Sequence, residues 1–389
     1  MIRVSTIRSA SFKSSCQSWD GVRQTLASAV ALLFVRQSSR TKTRWSGIRF
    51  AAQLVAAILC AVDAASAASR RTPISPTNIF APASTPARDI FRLSIFGLEV
   101  EGAIFVVVFS LLAFAIVKFR RRKNDDDVEP PQVYGSNQIE LAWTVVPVLS
   151  VVILFLSTAR VIYRVQDAKR PKSAIDVTVV GHQFWWEYRY PQYGFVASNE
   201  LHVPVSDPRH PTPTFLTLLS ADVDHSFWVP RLAGKTDLIP NHPNSMWIDP
   251  QETGLYLGQC AQYCGTQHAK MLLTVYVQSR GDFDRWVHQQ QQSAVSDPSV
   301  AGGGVLFQAK LCFICHTVRG TTAAGVVGPD LTHLMSRDTI GSSSVPNTPE
   351  NLRRWIRNPG TFKPGSRMPP QNLTDNELEQ IAAYLSTLR

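Results

Sequence analysis

The sequence predicts a multidomain chain of 389 residues: a two-helix transmembrane hairpin near the N-terminus, an all-β barrel or sandwich, and an all-α C-terminal domain. Two long apolar runs with almost no charge predict the hairpin. Short β-branched and aromatic runs broken by Pro, Gly, Asn and Asp predict the β domain, and helical periodicity predicts the last domain. The expected segments are 1–67 (N-terminal extension and export signal), 90–165 (hairpin), 173–280 (β domain), 281–297 (linker) and 298–389 (helical domain).

Hydrophobic residues make up 44% and aromatics 10% of the chain, which excludes wholesale disorder. Of the formal charge of +10, a net +8 lies in residues 1–50, where nine Lys or Arg face Asp20 alone. The rest of the chain is near neutral and has no basic stripe interleaved with base-stacking aromatics. No nucleic-acid partner is therefore expected.

Taken in order, residues 1–45 are Arg- and Ser-rich and poor in acid, as in a transit peptide or in translated sequence upstream of the true start; the second reading is preferred. Arg44 and Arg49, the short apolar run 50–62 and the small residues Ala65, Ser66 and Ala67 form an export signal. Cys60 follows the bulky Ile58 and Leu59, which argues against lipidation. Residues 73–87 are Pro-, Ser- and Thr-rich and should be extended. The first apolar run spans 95–117, with Glu99 and Glu101 near its start, and the second, 142–159, carries no charge. Each suffices to cross roughly 30 Å of hydrocarbon. The cluster Lys118-Phe119-Arg120-Arg121-Arg122-Lys123 between them marks the cytoplasmic side, so everything after Arg160 should lie outside the cytoplasm. Pro147 should kink the second helix.

Strands are expected at 175–180, 184–190, 214–219, 254–258 and 271–277, a helix at 283–292 and a linker at 293–304. In the last domain Leu378, Ile381, Ala382, Leu385 and Leu388 fall on one helical stripe, and Thr374 with Glu377 forms a capping box at its start.

Cys260, Gln262, Cys264, His268 and Met271 cluster in one segment, with His225 on another, in Asp224-His225-Ser226-Phe227-Trp228. Copper electron transfer uses thiolate and imidazole with weak axial donors. Two Cys separated by three residues can bridge two copper ions, each completed by one His, with Met271 and the main-chain carbonyl of Gln262 as axial donors. Flanking Gly258 and Gly265 argue for a loop rather than a helix face. A Cys260–Cys264 disulfide and a Cys2His2 zinc site are the competing readings. Met271, which zinc does not need, favours copper. His182, His202, His210, His242 and His288 are read as surface or structural.

Cys312-Phe313-Ile314-Cys315-His316 has the covalent haem attachment pattern: two thioether thiols followed by the proximal ligand. Met368, in Arg367-Met368-Pro369-Pro370, is the expected second axial ligand, and His333 and Met335 are its rivals.

The run Cys260-x-Gln262-x-Cys264-x3-His268-x2-Met271, with Gly181-His182-Gln183-Phe184-Trp185-Trp186 and Glu140-x-x-Trp143-Thr144, resembles subunit II of haem-copper cytochrome c oxidase over residues 90–280. Residues 298–389 resemble a class I cytochrome c, and the fusion resembles the caa3-type oxidases. The resemblance implies a cupredoxin domain holding the dinuclear CuA centre, one covalent haem c, and a bacterial plasma-membrane location with both metal domains on the outer side. It implies oxidase subunit I and other oxidase subunits as partners, and a soluble cytochrome c or a quinol-cytochrome c reductase as donor. Electrons would pass by way of Phe184, Trp185 and Trp186, and oxygen reduction would occur in subunit I. Glu140 matches the position associated with proton uptake. The alternative is the electron-accepting subunit of a copper-containing nitric oxide reductase. The family usually has Glu at position 262, where its carboxylate helps bind magnesium, so Gln262 makes magnesium doubtful.

Overall fold

The computed structural model describes residues 75, 77–120, 132, 135–209, 211–295 and 297–389. The export signal, Cys16, Cys60, His210 and the basic residues Arg121, Arg122 and Lys123 lie outside the described residues.

Helix α1 spans Thr85–Lys118 and α2 spans Asn137–Gln166. At 1.5 Å per residue they are about 50 and 45 Å long, more than hydrocarbon requires. Both exceed the expected 95–117 and 142–159, because their polar outer ends continue as helix and anchor the β domain. Thr85 Oγ1 donates to Asp249 Oδ2 at 2.6 Å, and Trp247 Nε1 donates to the carbonyl of Val165 at 2.7 Å. Arg164 of α2 pairs with Asp89 of α1 at 3.1 Å. Between these ends Phe105, Leu111, Val151 and Phe155 stand exposed, as side chains facing lipid or a partner helix do. Pro147 lies within α2, which runs through it as one helix.

The β domain is a sandwich of two five-stranded sheets. One has the order β3-β2-β1-β5-β8, built from Phe195–Ser198, Trp185–Tyr190, Ile175–His182, Thr214–Ser220 and Asn244–Ile248. The other has the order β4-β10-β9-β6-β7, built from Glu200–Pro204, Leu272–Gln278, Gly254–Cys260, His225–Trp228 and Thr236–Leu238. Strands β1 and β5 run parallel, from Ile175 opposite Thr214 to Gly181 opposite Ser220. Alternating inward residues such as Val177, Val179, Leu216, Leu218, Leu273 and Val275 fill the space between the sheets. Helix α3 (Arg280–Gln291) closes one end with Phe283 and Val287 in the same core.

The C-terminal domain contains α4 (Ala301–Ala309), α5 (Pro349–Arg357) and α6 (Asp375–Leu385), with a two-residue ribbon of β11 (Thr339–Ile340) and β12 (Val345–Pro346). The expected stripe is buried, and Thr374 and Glu377 make the capping box. The expected linker 293–304 ends earlier, because α4 begins at Ala301. Its glycines serve close packing: a Cβ on Gly303 would lie 2.1 Å from the carbonyl of Gln380, so only glycine lets α4 cross α6 this closely.

Candidate metal and haem sites

Strand β6 carries His225, strand β9 ends at Cys260, and the loop beyond it carries Gln262 and Cys264 before a single 3-10 turn, His268–Lys270, and Met271. Antiparallel pairing of Phe227 with Cys260 brings the two strands together. The sulfurs of Cys260 and Cys264 are 3.8 Å apart and both thiols are free. A disulfide requires about 2.05 Å. His225 Nδ1 lies 3.9 Å from Cys260 Sγ, His268 Nδ1 lies 3.7 Å from Cys264 Sγ, and Met271 Sδ lies 3.8 Å from Cys264 Sγ. The main-chain carbonyl oxygen of Gln262 stands 3.1 Å from Cys260 Sγ. All six expected donors therefore converge. Among the described residues, the cluster of His, Cys or carboxylate ligand atoms within 4.8 Å of one another is His225, Cys260 and Cys264.

His225 Nε2 donates to Asp222 Oδ1 at 2.8 Å, which in the neutral ring leaves Nδ1 unprotonated, with its lone pair free to ligate a metal beside the sulfurs. Burial lowers the pKa of His225, but the Asp222 carboxylate and the Cys260 sulfur outweigh it and the net shift is upward. Cys260 is drawn far below the ordinary thiol range by the hydrogen bond from Cys264 and by His225, while Cys264 is pushed up by the same pairing. Thiolate and imidazole in this number, with thioether and carbonyl at the edge, fit a pair of soft redox ions better than a four-ligand zinc. Asp222 was invisible in the sequence as a functional residue, although a carboxylate three residues before a ligating His is a usable clue. Gln262 is exposed and neutral, so it brings no charge to a magnesium ion.

In the C-terminal domain a cavity of about 340 Å3 is lined by Cys312, Cys315, His316 and Met368 and by apolar side chains such as Leu352 and Ile381. His316 Nδ1 donates to the carbonyl of Pro329 at 2.8 Å, so Nε2 is the atom free to ligate. Burial lowers the pKa of His316, keeping the ring neutral. A Cβ on Gly328 would sit 2.6 Å from the ring, which makes glycine obligatory there. The rivals for the axial position are elsewhere: His333 Nε2 bonds the carbonyl of Gln292 at 3.1 Å, and neither His333 nor Met335 lines the cavity. Paired thiols, an oriented imidazole and a thioether around an apolar cavity fit a covalently attached haem.

The cavity wall includes Gln183, Phe184 and Trp185 from the β domain. Gln183 Nε2 donates to the carbonyl of Cys264 at 2.6 Å, so the same loop touches both sites. Trp186 faces the other way, fully buried, with its ring 6.1 Å from that of His225. Glu140 lies in the first turn of α2 and is exposed.

These features define a class: a membrane-anchored redox subunit that joins a copper-type thiolate site to a haem-binding domain. Residues 75–161 match the transmembrane domain of cytochrome c oxidase subunit II, residues 210–278 match the periplasmic domain of that subunit, and residues 300–389 match cytochrome c. The chain is 33% identical over 317 residues to cytochrome c oxidase subunit 2 of Alkalihalophilus pseudofirmus, covering 79% of this chain and 90% of the relative. It is 33% identical over 291 residues to the subunit 2 of Bacillus sp. strain PS3, covering 70% and 80% respectively. The solved periplasmic domain of subunit II of cytochrome oxidase from Bradyrhizobium japonicum is 29% identical, with a TM-score of 0.29, over 31% of this chain and 96% of that one. The chain belongs to the cytochrome c oxidase subunit 2 family.

Proposed function

We propose that this subunit receives electrons at its C-terminal haem, passes them to a dinuclear copper centre in the β domain, and delivers them to subunit I of a haem-copper oxidase, where oxygen is reduced with proton translocation. The observation that carries the reading is the convergence of six donors around two free sulfurs 3.8 Å apart, with a haem-type cavity sharing the neighbouring loop. When bound, the copper pair as one unit would take up and release one electron, and the haem another.

Cys260, Cys264, His225, His268, Met271 and the carbonyl of Gln262 would hold copper, and Cys312, Cys315, His316 and Met368 would hold haem. Asp222 orients His225, and Pro329 orients His316. Burial of Cys260, Cys264, Met271 and His225 excludes water and limits reorganisation around the sulfurs. Phe184 and Trp185 lie on the haem side and Trp186 on the copper side, which supports that run as the path between them. The named relatives are cytochrome c oxidase subunits, which favours oxygen over nitric oxide as the terminal acceptor.

We place the two domains on the outer face of a bacterial plasma membrane, with a soluble cytochrome c or a quinol-oxidising complex as donor. Glu140 is proposed at the mouth of a proton-uptake path, and magnesium is not proposed at Gln262. The test is to purify the full chain after haem maturation and copper loading. Two coppers sharing one unpaired electron by paramagnetic resonance, plus one c-type haem by pyridine haemochrome, support the reading. One zinc with a silent spectrum overturns it.

A further inference from the structure

Lys363 stands where the two domains meet. Its side chain is 2% exposed, and its ammonium donates to the carbonyl of Phe184 in the β domain at 2.7 Å and to that of Gly341 in its own domain at 3.1 Å. Arg337, beside the same cavity, donates to the main-chain carbonyl of Asp330. Arg337 faces the charges of Asp330 and Glu200, whereas among the described residues no carboxylate lies within ion-pair distance of Lys363. The other cations of the cavity wall are engaged: Lys310 pairs with Glu377 at 2.7 Å, and Arg367 bonds Gln183.

A buried ammonium without an anion is costly, and burial pushes Lys363 down to about 7. Both Lys363 and Arg337 line the cavity that fits the haem. That cofactor carries two carboxylates on an otherwise apolar ring, and they need cationic partners when taken out of water.

We propose that Lys363 binds a carboxylate of the haem at the domain boundary, so that one ammonium joins the cofactor to the Phe184 loop of the copper-binding domain. The assignment rests on the haem reading of the C-terminal cavity. Because Gln183, next to Phe184, bonds the carbonyl of Cys264, Lys363 is a positioning residue for the separation between the two redox sites. Nothing in the sequence singles it out, since a lone Lys in a Pro- and Gly-rich loop has no pattern.

The test uses the full-length, haem-loaded protein with Lys363→Met and Lys363→Arg, read by spectroelectrochemical titration and by amide hydrogen exchange of residues 183–186. Losing the cation disfavours the ferrous form, so K363M lowers the haem midpoint potential and K363R restores it. Attachment of haem protects residues 183–186 in the wild type, relative to a C312A/C315A chain, and fails to do so in K363M. Should K363M misfold, infrared difference spectra of the wild type with carbon-13-labelled haem carboxylates decide: one carboxylate insensitive to deuterated water supports the proposal. Two freely solvated carboxylates overturn it, as does a K363M chain with wild-type potential and protection. Absence of haem from the wild type is a different failure, that of the haem reading itself.

Discussion

The carboxylate of Glu200, on strand β4, accepts the main-chain N–H of Asp338 from the haem-binding domain at 3.0 Å, and it takes the N–H of Thr339 at 3.1 Å as well. Around this contact Tyr276 donates to Asp338, Thr274 and Ser343 share a hydroxyl bond of 2.9 Å, and Lys270 donates to the carbonyl of Phe362 at 2.8 Å. The two domains are thus joined by a polar seam.

Burial raises the pKa of Glu200 from 4.5 to about 7, against the lowering effects of Arg337 and the Thr339 bonds. The folded seam therefore binds a proton that the separated state releases between those values, and its stability falls as pH rises through that window. Hydrogen exchange at residues 338–343, corrected for intrinsic rates, should show more protection at pH 5 than at pH 8. At about 1.4 kcal/mol per pKa unit, the change is on the order of 3 kcal/mol at most. Glu200→Gln should flatten it; an unchanged profile in that variant contradicts the assignment.

On the proposed function, replacing one of the two sulfurs would remove a copper bridge. Cys264→Ser should bind at most one copper in place of two and lose the shared-electron paramagnetic spectrum, with the haem bands intact. Elemental analysis beside the optical spectrum checks this, and retention of two coppers would sink the bridging role.

Gly328→Ala forces a methyl into the ring of His316. Overpacking of this kind costs about 1–3 kcal/mol, and here it also displaces the nitrogen proposed to ligate haem. The yield of haem-attached protein and its midpoint of thermal unfolding should both fall, whereas Gly97→Ala, with nothing within 4 Å, should leave both unchanged.

Met368→Ala should strip the thioether from the haem, lowering its potential and changing its spin state. His333→Ala and Met335→Ala should leave the spectrum untouched, since neither side chain lines the cavity. A wild-type spectrum in the Met368 variant would move the axial ligand elsewhere.

Much of the fold was legible because its strongest elements are local. The apolar runs, the capping box at Thr374 and the strands with long β-branched stretches announce themselves within a window of several residues. Strands β3, β4, β6, β7 and β8 were not foreseen as strands. They are short, all but β3 contain Asn, Glu, His or Asp, and the partner of β4 lies far away in sequence, Glu200 standing opposite Thr274. The linker expected at 293–304 was misjudged in part because Gly302, Gly303 and Gly304 carry the same letters whether they give freedom or allow close contact.

By itself the sequence determined the chemistry: which sulfurs, imidazoles and thioethers are available, how they are spaced, and which runs suit a membrane. These are properties of residue type and short-range spacing, and they survive without coordinates. Only the tertiary structure decided that His225 reaches Cys260 from another strand, that the thiols stand reduced and apart, and that His333 is turned away from the cavity. It alone brought Lys363 to Phe184 and Glu200 to Asp338. Those are meetings between segments more than a hundred residues apart, fixed by packing and by burial of charge, and no local pattern encodes them.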